Sequence, residues 1–387
     1  MAHFPKPFFR PSRRLWYVQL DGRQVNLGPD KEAAFDQYHK LMRGRLQNVR
    51  DENVVAILEA FLEWAHQNTA AATYDWYHRH LQVFVESIPS NLRAGQLTPN
   101  HLTQLFGKHP SWSSSTRNGM CRAVQRAMNW AEEQRVIERS PLAKMKKPKL
   151  KAREVVITPA EYGDILRHAK GEHFRDLLVT AWETGARPQE ITRVEARHVD
   201  VDRGRWVFPI EESKGKKMPR IVYLSDEALL IARKLMLRHP KGPLFRNADG
   251  KPWNKQALAC AFGRVQIGLG LERMQALGLT VEKPPRFNAD SLPPAKRSAA
   301  KARQEKLLYE RRKALYKLAR KHGRKYCLYN FRHSWATRAL QRGLDPLTVA
   351  LLMGHSDPSM LAKVYQHVAH DPEYMRKAAG RATGNGN

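Results

Sequence analysis

Six of the ten residues at 144–153 are Lys or Arg: the run reads Lys144, Met145, Lys146, Lys147, Pro148, Lys149, Leu150, Lys151, Ala152, Arg153. Like charges at this density repel one another. Pro148 also removes a backbone donor and restricts the residue before it, so the run disfavours compact structure. It reads as a linker that splits the chain into a shorter first part and a longer second one. The split suits the length, because 387 residues exceed what one core usually serves and two or three domains are expected. Such a linker can be a solvated hinge, a strip lying along a polyanion, or both.

The first part opens with a hairpin signal. Leu15–Leu20 and the segment 23–27 flank Asp21-Gly22, a strong two-residue turn. Residues 30–43 then read as a helix, with Ala34, Phe35, Tyr38 and Leu41 on one side. From about 52 to 145 the pattern is helical in four segments. Val54, Leu58, Phe61, Leu62 and Ala65 mark the first; Tyr74, Tyr77, Leu81, Phe84 and Val85 mark the second. The third runs from Leu97-Thr98-Pro99 to Phe106. The fourth covers 115–133, with Met120, Val124, Ala127, Met128 and Ala131 on its apolar side. No constellation here suggests chemistry.

Beyond the linker, helices resume at Thr158-Pro159-Ala160-Glu161, where Thr158 can cap and Pro159 suits the first turn. Residues 205–210 and 220–224 read as a second hairpin around a Lys- and Gly-rich turn. Pro284, Pro285, Pro293 and Pro294 break the chain, and 295–325 reads as a basic helix whose only acids are Glu305 and Glu310. Contact with DNA and simple solvation both suit that helix.

The formal net charge is +30, from 67 Lys and Arg against 37 Asp and Glu. A chain this basic is expected to bind a polyanion, nucleic acid foremost; dispersed surface charge is the plainer alternative. No run approaches the ~18 apolar residues of a spanning helix, and the first residues lack the apolar core of a secretion signal, so no membrane role is expected. Cys121, Cys260 and Cys327 are an odd number and far apart, which fits a reducing cytoplasm rather than a disulfide framework. The 16 histidines show no cluster with carboxylates at ligand spacing, so no metal is expected. No Gly-rich phosphate loop carries a lysine, so neither ATP nor another cofactor is expected.

Chemistry concentrates in the second part. Thr184-Gly185-Ala186-Arg187-Pro188-Gln189-Glu190 comes first. Arg332-His333-Ser334-Trp335-Ala336-Thr337, Leu352-Met353-Gly354-His355-Ser356 and Lys363-Val364-Tyr365-Gln366-His367 follow. A phosphodiester shields its phosphorus with negative oxygens, so cleavage needs fixed positive donors aimed at those oxygens. Arginine suits the task because its planar fork donates paired hydrogen bonds and stays charged. A tyrosine hydroxyl, with a free pKa of about 10, can attack only with local activation. Two arginines, a histidine and a tyrosine in this order can hold one phosphodiester and attack it.

This set resembles the catalytic domain of the tyrosine recombinase, or phage integrase, family over roughly 152–370. The resemblance implies that the chain is an enzyme, a site-specific DNA recombinase of a mobile element or phage. It would cut and rejoin DNA without ATP through a 3′-phosphotyrosyl link. Tyr365 would be the nucleophile, Arg187 and Arg332 the phosphate clamps and His355 a donor to the scissile phosphate from a helix start. Lys214 would be the general acid for the leaving 5′-oxygen, with Lys216 and Lys217 as rivals for that role. Glu190 would brace the site and His333 would be structural. The family usually has histidine three residues before the second arginine, whereas this chain has Tyr329. A hydroxyl there can donate a hydrogen bond but is a poor proton acceptor at neutral pH.

The implied fold is mainly α with small β-sheets. A helical core-binding domain over 49–146 would precede a mixed α+β catalytic domain over 152–387 that carries a basic insertion near 270–326. The hairpin-plus-helix unit over 1–48 is similar to an arm-type DNA-binding unit, with a structural appendage as the alternative. The helical unit would close over the far side of double-stranded DNA, or be a bundle without a DNA role. The family also implies a homotetramer on two duplexes, an accessory protein that can set direction, and work at the nucleoid in the cytoplasm. A type IB topoisomerase-like enzyme and an architectural DNA-binding protein without catalysis are the rival readings.

Overall fold

The computed structural model describes residues 5–20, 22–46, 53–150, 155–213, 218–283, 293–355 and 375–376. The chain forms two compact units, Met1–Ala152 and Arg153–Asn387. Among the described residues it is mainly helical, with two small antiparallel sheets of three strands each. That is the fold class expected from the sequence.

In the first unit, β1 (Phe8–Arg10), β2 (Leu15–Leu20) and β3 (Arg23–Gly28) pair in chain order. Only β2 and β3 were expected. Three residues between prolines are too few to show a period of two, so β1 has no sequence signature. Val18 and Leu27 point from the sheet onto Ala34 of α1 (Lys31–Leu46), forming a small core. Four further α-helices follow: α2 (Val54–Asn68), α3 (Ala71–Val85), α4 (Pro99–Lys108) and α5 (Ser114–Glu133). The Asn53 side chain accepts hydrogen bonds from the Val55 and Ala56 backbone N–H groups, a cap of about 1 kcal/mol. Phe61, Leu58, Leu81, Phe84, Val124 and Met128 are all fully buried in one bundle core. Each such large side chain contributes roughly 1.5–3 kcal/mol by leaving water.

The first half of the linker is less free than its charge suggests. Gln125 Nε2 donates to the Leu142 and Ala143 carbonyls at 2.6 and 3.0 Å, and Asn118 Nδ2 donates to the Pro148 carbonyl at 2.8 Å. Side-chain amides of α5 thus tie the chain down as far as Pro148. Residues 151–154 lie outside the described residues.

The second unit begins with α6 (Pro159–His168), α7 (Glu172–Thr184) and α8 (Pro188–Arg193). At α6 the expected start is present: Thr158 Oγ1 accepts from the Glu161 N–H, and Glu161 Oε2 accepts from the Thr158 N–H. A sheet of β4 (Val199–Asp200), β5 (Arg205–Phe208) and β6 (Arg220–Tyr223) comes next and turns Trp206, Phe208 and Val222 into the core. The remaining helices are α9 (Asp226–Arg238), α10 (Lys255–Ala276), α11 (Pro294–His322), α12 (Leu328–Gln341) and α13 (Pro346–Met353). The basic stretch is therefore a helix, α11, laid along α10. The two approach so closely that a Cβ at Gly270 would collide with the Ala319 carbonyl. Gln266 Nε2 secures the crossing by donating to the Arg320 and Gly323 carbonyls at 2.9 and 3.1 Å.

Candidate active site

Arg187 and Arg332 are 145 positions apart in sequence and meet because α12 packs on α7. Helix α7 ends at Gly185, which adopts φ +59°. That left-handed turn suits glycine, and a Cβ there would also strike the Trp335 ring on α12. Trp335 Nε1 donates to the Glu183 carbonyl at 2.9 Å. Arg338, one turn on, stacks over the Trp182 ring at 3.3 Å and donates to the Trp182 carbonyl at 2.6 Å. These contacts lock α12 over the end of α7. Arg187 sits two residues beyond Gly185, as the N-cap of α8 with Pro188 at the first helical position, the helix–helix turn expected from the sequence.

Arg332 is on the first turns of α12 and only 3% exposed. Its Nη1 donates to the Gly185 carbonyl at 2.8 Å, and its Nη2 donates to the Met353 carbonyl at 2.6 Å and to His355 Nε2 at 3.1 Å. Arg187 Nη1 pairs with Glu190 Oε1 at 2.7 Å, and its Nη2 donates to the Gly354 carbonyl at 2.6 Å. A third arginine, which sequence reasoning missed, joins them. Arg220 at the start of β6 donates from Nε to Glu190 Oε1 at 3.1 Å and from Nη1 to the Leu352 carbonyl at 2.8 Å. Its only signal was a basic residue opening the second hairpin strand. Glu190 thus braces two guanidiniums, the supporting place foreseen for it.

The three arginines hold three successive carbonyls at the C-terminal end of α13, where the helix dipole is negative. Gly354 makes the end possible. Its φ is +65°, and a Cβ would meet Arg220 Nη1 at 2.7 Å. His355 follows directly. It stands just past the end of α13, which the left-handed Gly354 terminates; the helix start expected at His355 would involve residues 356 onward, which lie outside the described residues.

Electrostatically the cluster carries more positive than negative charge. Burial, then the neighbouring Arg187, pushes the Arg332 guanidinium down to about 10, which leaves it cationic at neutral pH. Burial raises the Glu190 carboxyl, but the Arg220 charge and the hydrogen bonds and charge of Arg187 more than reverse this, and its pKa lies below the ordinary value. Burial, then Arg332, Arg187 and Arg220, drives His355 down to about 4, so the ring is neutral at pH 7. Because Arg332 donates to Nε2, the proton of neutral His355 belongs on Nδ1. Nδ1 of His355 and Nη2 of Arg220 are both buried donors that no described acceptor meets.

Tyr329 lies one turn before Arg332 on α12. It is 54% exposed and its ring is 6.2 Å from that of His333. The structure therefore brings together Arg187, Arg332 and His355, adds Arg220, and sets Tyr329 at the rim. Lys214, its rivals Lys216 and Lys217, and Tyr365 lie outside the described residues. The comparisons with known proteins bear on the same stretch. The sequence matches the phage integrase family over residues 156–282 and 296–371, just over half the chain.

Among solved structures, the chain is similar to the Tn1549 transposon integrase in complex with a circular intermediate DNA. That match has 15% identity and a TM-score of 0.58 over 86% of this chain and 99% of that one. It is similar also to a lambda integrase dimer bound to a COC′ core site, with 13% identity and a TM-score of 0.56 over 94% and 95%. A lambda integrase tetramer bound to a Holliday junction matches with 13% identity and a TM-score of 0.55 over 92% and 97%. At these identities the three speak for the fold. The family match spans the segments that hold Arg187, Arg332, His355 and Tyr365, and the chain belongs to the phage integrase family, the tyrosine recombinases.

Proposed function

We propose that this chain is a site-specific DNA recombinase that cuts and rejoins DNA through Tyr365 to integrate or excise a mobile element or phage. The observation that carries the reading is the convergence of Arg187, Arg332 and His355 on one point, with Arg220 and Glu190 behind them. An excess of fixed positive charge held by buried carbonyls and a carboxylate is built for an anion. It needs little reorganisation when charge grows on a phosphate in flight.

The steps follow from the donors. Of the five N–H groups of a guanidinium, Arg332 commits three, leaving Nε–H and one on Nη1 for the non-bridging oxygens. Arg187 keeps three. His355 Nδ1–H adds a neutral donor. Tyr365 Oη attacks phosphorus and forms the new P–O bond, its proton passing to solvent; the bond to the 5′-oxygen breaks, and Lys214 gives that oxygen its proton. The 3′-phosphotyrosyl ester keeps the energy of the broken bond. A 5′-hydroxyl from the other duplex attacks it and returns its proton to Lys214, while the bond to Tyr365 breaks and its oxygen takes a proton from solvent, so the strand is sealed and no ATP enters.

On this reading residues 152–387 hold the chemistry, 49–146 embrace the core site, and 1–48 reach a second DNA site. The lambda integrase structures are a dimer on a core site and a tetramer on a Holliday junction. We carry that assembly over to this chain, as four protomers on two duplexes. Its place of work is then the nucleoid. No described helix is long and apolar enough to cross a membrane.

A nicked duplex carrying the recombination site tests the reading, since the cut fragment diffuses away and traps the enzyme. Wild-type protein is expected to form a covalent adduct. Tyr365→Phe is expected to form none while binding the same DNA within about threefold, because only a hydroxyl is lost. An adduct that persists in Tyr365→Phe removes Tyr365 as the nucleophile. No adduct in either protein would instead favour a binding-only role.

A further inference from the structure

A second cluster of ionisable groups lies in the first unit, remote in sequence from the arginines. His39 on α1 and Glu63 on α2 are 7% and 5% exposed, and His39 Nδ1 is 3.0 Å from Glu63 Oε2. His66 lies one turn beyond Glu63 and stacks on the His39 ring at 3.7 Å between centroids. One ligand atom from each of the three lies within 4.8 Å of the others. The sequence showed no such grouping, because Glu63-x-x-His66 is a common pairing and His39 joins it only when α1 packs on α2.

Several features distinguish this from an ordinary buried ion pair. The other carboxylate oxygen of Glu63 is held by Gln67 Nε2 at 2.9 Å, which fixes the carboxylate plane and turns Oε2 toward the two rings. Bracing of this kind is what orients the carboxylate ligands of metal sites. Aromatic rings wall the cluster: Tyr38 meets His39 edge-on at 5.0 Å and Tyr74 meets His66 edge-on at 5.1 Å. His66 is the exposed member, and its side of the cluster faces solvent.

We propose that His39, Glu63 and His66 form a binding site for a zinc-class divalent transition metal that staples α1 to α2. Two imidazoles and one carboxylate are a zinc-type set, and the i, i+3 placement of Glu63 and His66 is one that helical bundles use for metals. Four ligands at 2.0–2.2 Å from a tetrahedral ion lie roughly 3.3–3.6 Å apart. A modest swing of the exposed His66 ring brings the set to that spacing. The fourth position falls on the solvent side and takes a water. The hard ions Mg²⁺ and Ca²⁺ prefer all-oxygen shells and are excluded by the two imidazoles.

The test uses the full-length protein, stripped with chelator and dialysed. Titration with Zn²⁺ and Co²⁺ is followed by calorimetry and, for Co²⁺, by the visible absorption of a low-symmetry four-coordinate ion. The expected result is one site of micromolar or tighter affinity, an intense Co²⁺ band, and a rise in Tm with Zn²⁺ but not with Mg²⁺. His66→Gln, at the exposed position, should weaken that site at least tenfold and abolish the band while the apo-protein melts as wild type. His39→Gln should do the same to the metal and guards against a surface histidine being mistaken for the site. The proposal is overturned if no ion binds more tightly than about 100 µM, if Mg²⁺ matches Zn²⁺, or if either variant leaves the tight site intact.

Discussion

His355 bears most directly on how the site works, because its neighbours keep it neutral. Its folded-state pKa of about 4 lies below the unfolded value of 6.5, so between these values the unfolded chain binds more protons. Stability contributed by this residue is complete above pH 6.5 and falls as pH drops toward 4, by about 1–2 kcal/mol between pH 7 and pH 5. His355→Gln, which cannot titrate, is expected to show a smaller drop in Tm between those two pH values than wild type; equal drops would show that the ring is not held neutral. Tyr329 makes a separate case. It is half-exposed and one turn from Arg332, and on the proposed reading its hydroxyl would serve a phosphate bound among the arginines. On the nicked substrate, Tyr329→Phe should lower the cleavage rate on the order of 10²-fold, and Tyr329→His should keep or raise it. Wild-type cleavage by Tyr329→Phe would reduce the tyrosine to packing. Arg187, Arg332 and His355 were legible in the sequence because each sits in a short motif. Arg220 was not, since one arginine opening a strand looks like any surface residue until the sheet presses it against Glu190.

At the scale of elements, the long helices and both hairpins could be read from periodicity and turn chemistry. Thr158 with Pro159, and Gly185 before Arg187, mark helix ends where they stand. What could not be read were elements defined by tertiary contact: the short strand β1, and the binding of Pro148 to α5 through Asn118. Nor does local sequence reveal how closely the end of α13 fits its surroundings, because Gly354 must leave room for the Arg220 side chain. Helix α11 is the element with most left to assign. Its half-buried residues Gln304, Leu307, Arg311, Leu315 and Leu318 recur every three or four positions, and Ala319 is fully buried where α11 crosses α10 at Gly270. The remaining exposed residues are mostly basic, with Glu305, Glu310, Leu308, Tyr309 and Tyr316 among them. Lys313, Lys317 and Lys321 lie on one exposed stripe. If that stripe follows the DNA backbone, changing all three to Gln should weaken binding to every duplex alike and flatten the log–log salt dependence by roughly three. An unchanged slope would make α11 a solvated brace for α10.

For the whole molecule, the +30 charge is the quantity that matters. A tyrosine recombinase that covers six to ten phosphates should lose roughly 10³–10⁵ in affinity between 50 and 200 mM salt. Fluorescence anisotropy on one duplex across that range checks this, and a flat response would mean that the charge is not a DNA footprint. Salt acts on the surface, however, whereas the arginine cluster is held by buried bonds within the fold. Arg220, Arg332 and Arg187 grip the carbonyls of Leu352, Met353 and Gly354 in turn, and the chain runs from there to Tyr365. An anion that draws on Arg187 or Arg332 therefore competes with these carbonyls for the same guanidiniums, so occupancy of the cluster and the hold on the end of α13 are linked. On the proposed reading, a phosphate seated among the arginines would be felt at the helix end that precedes Tyr365, and binding and positioning would share one set of donors.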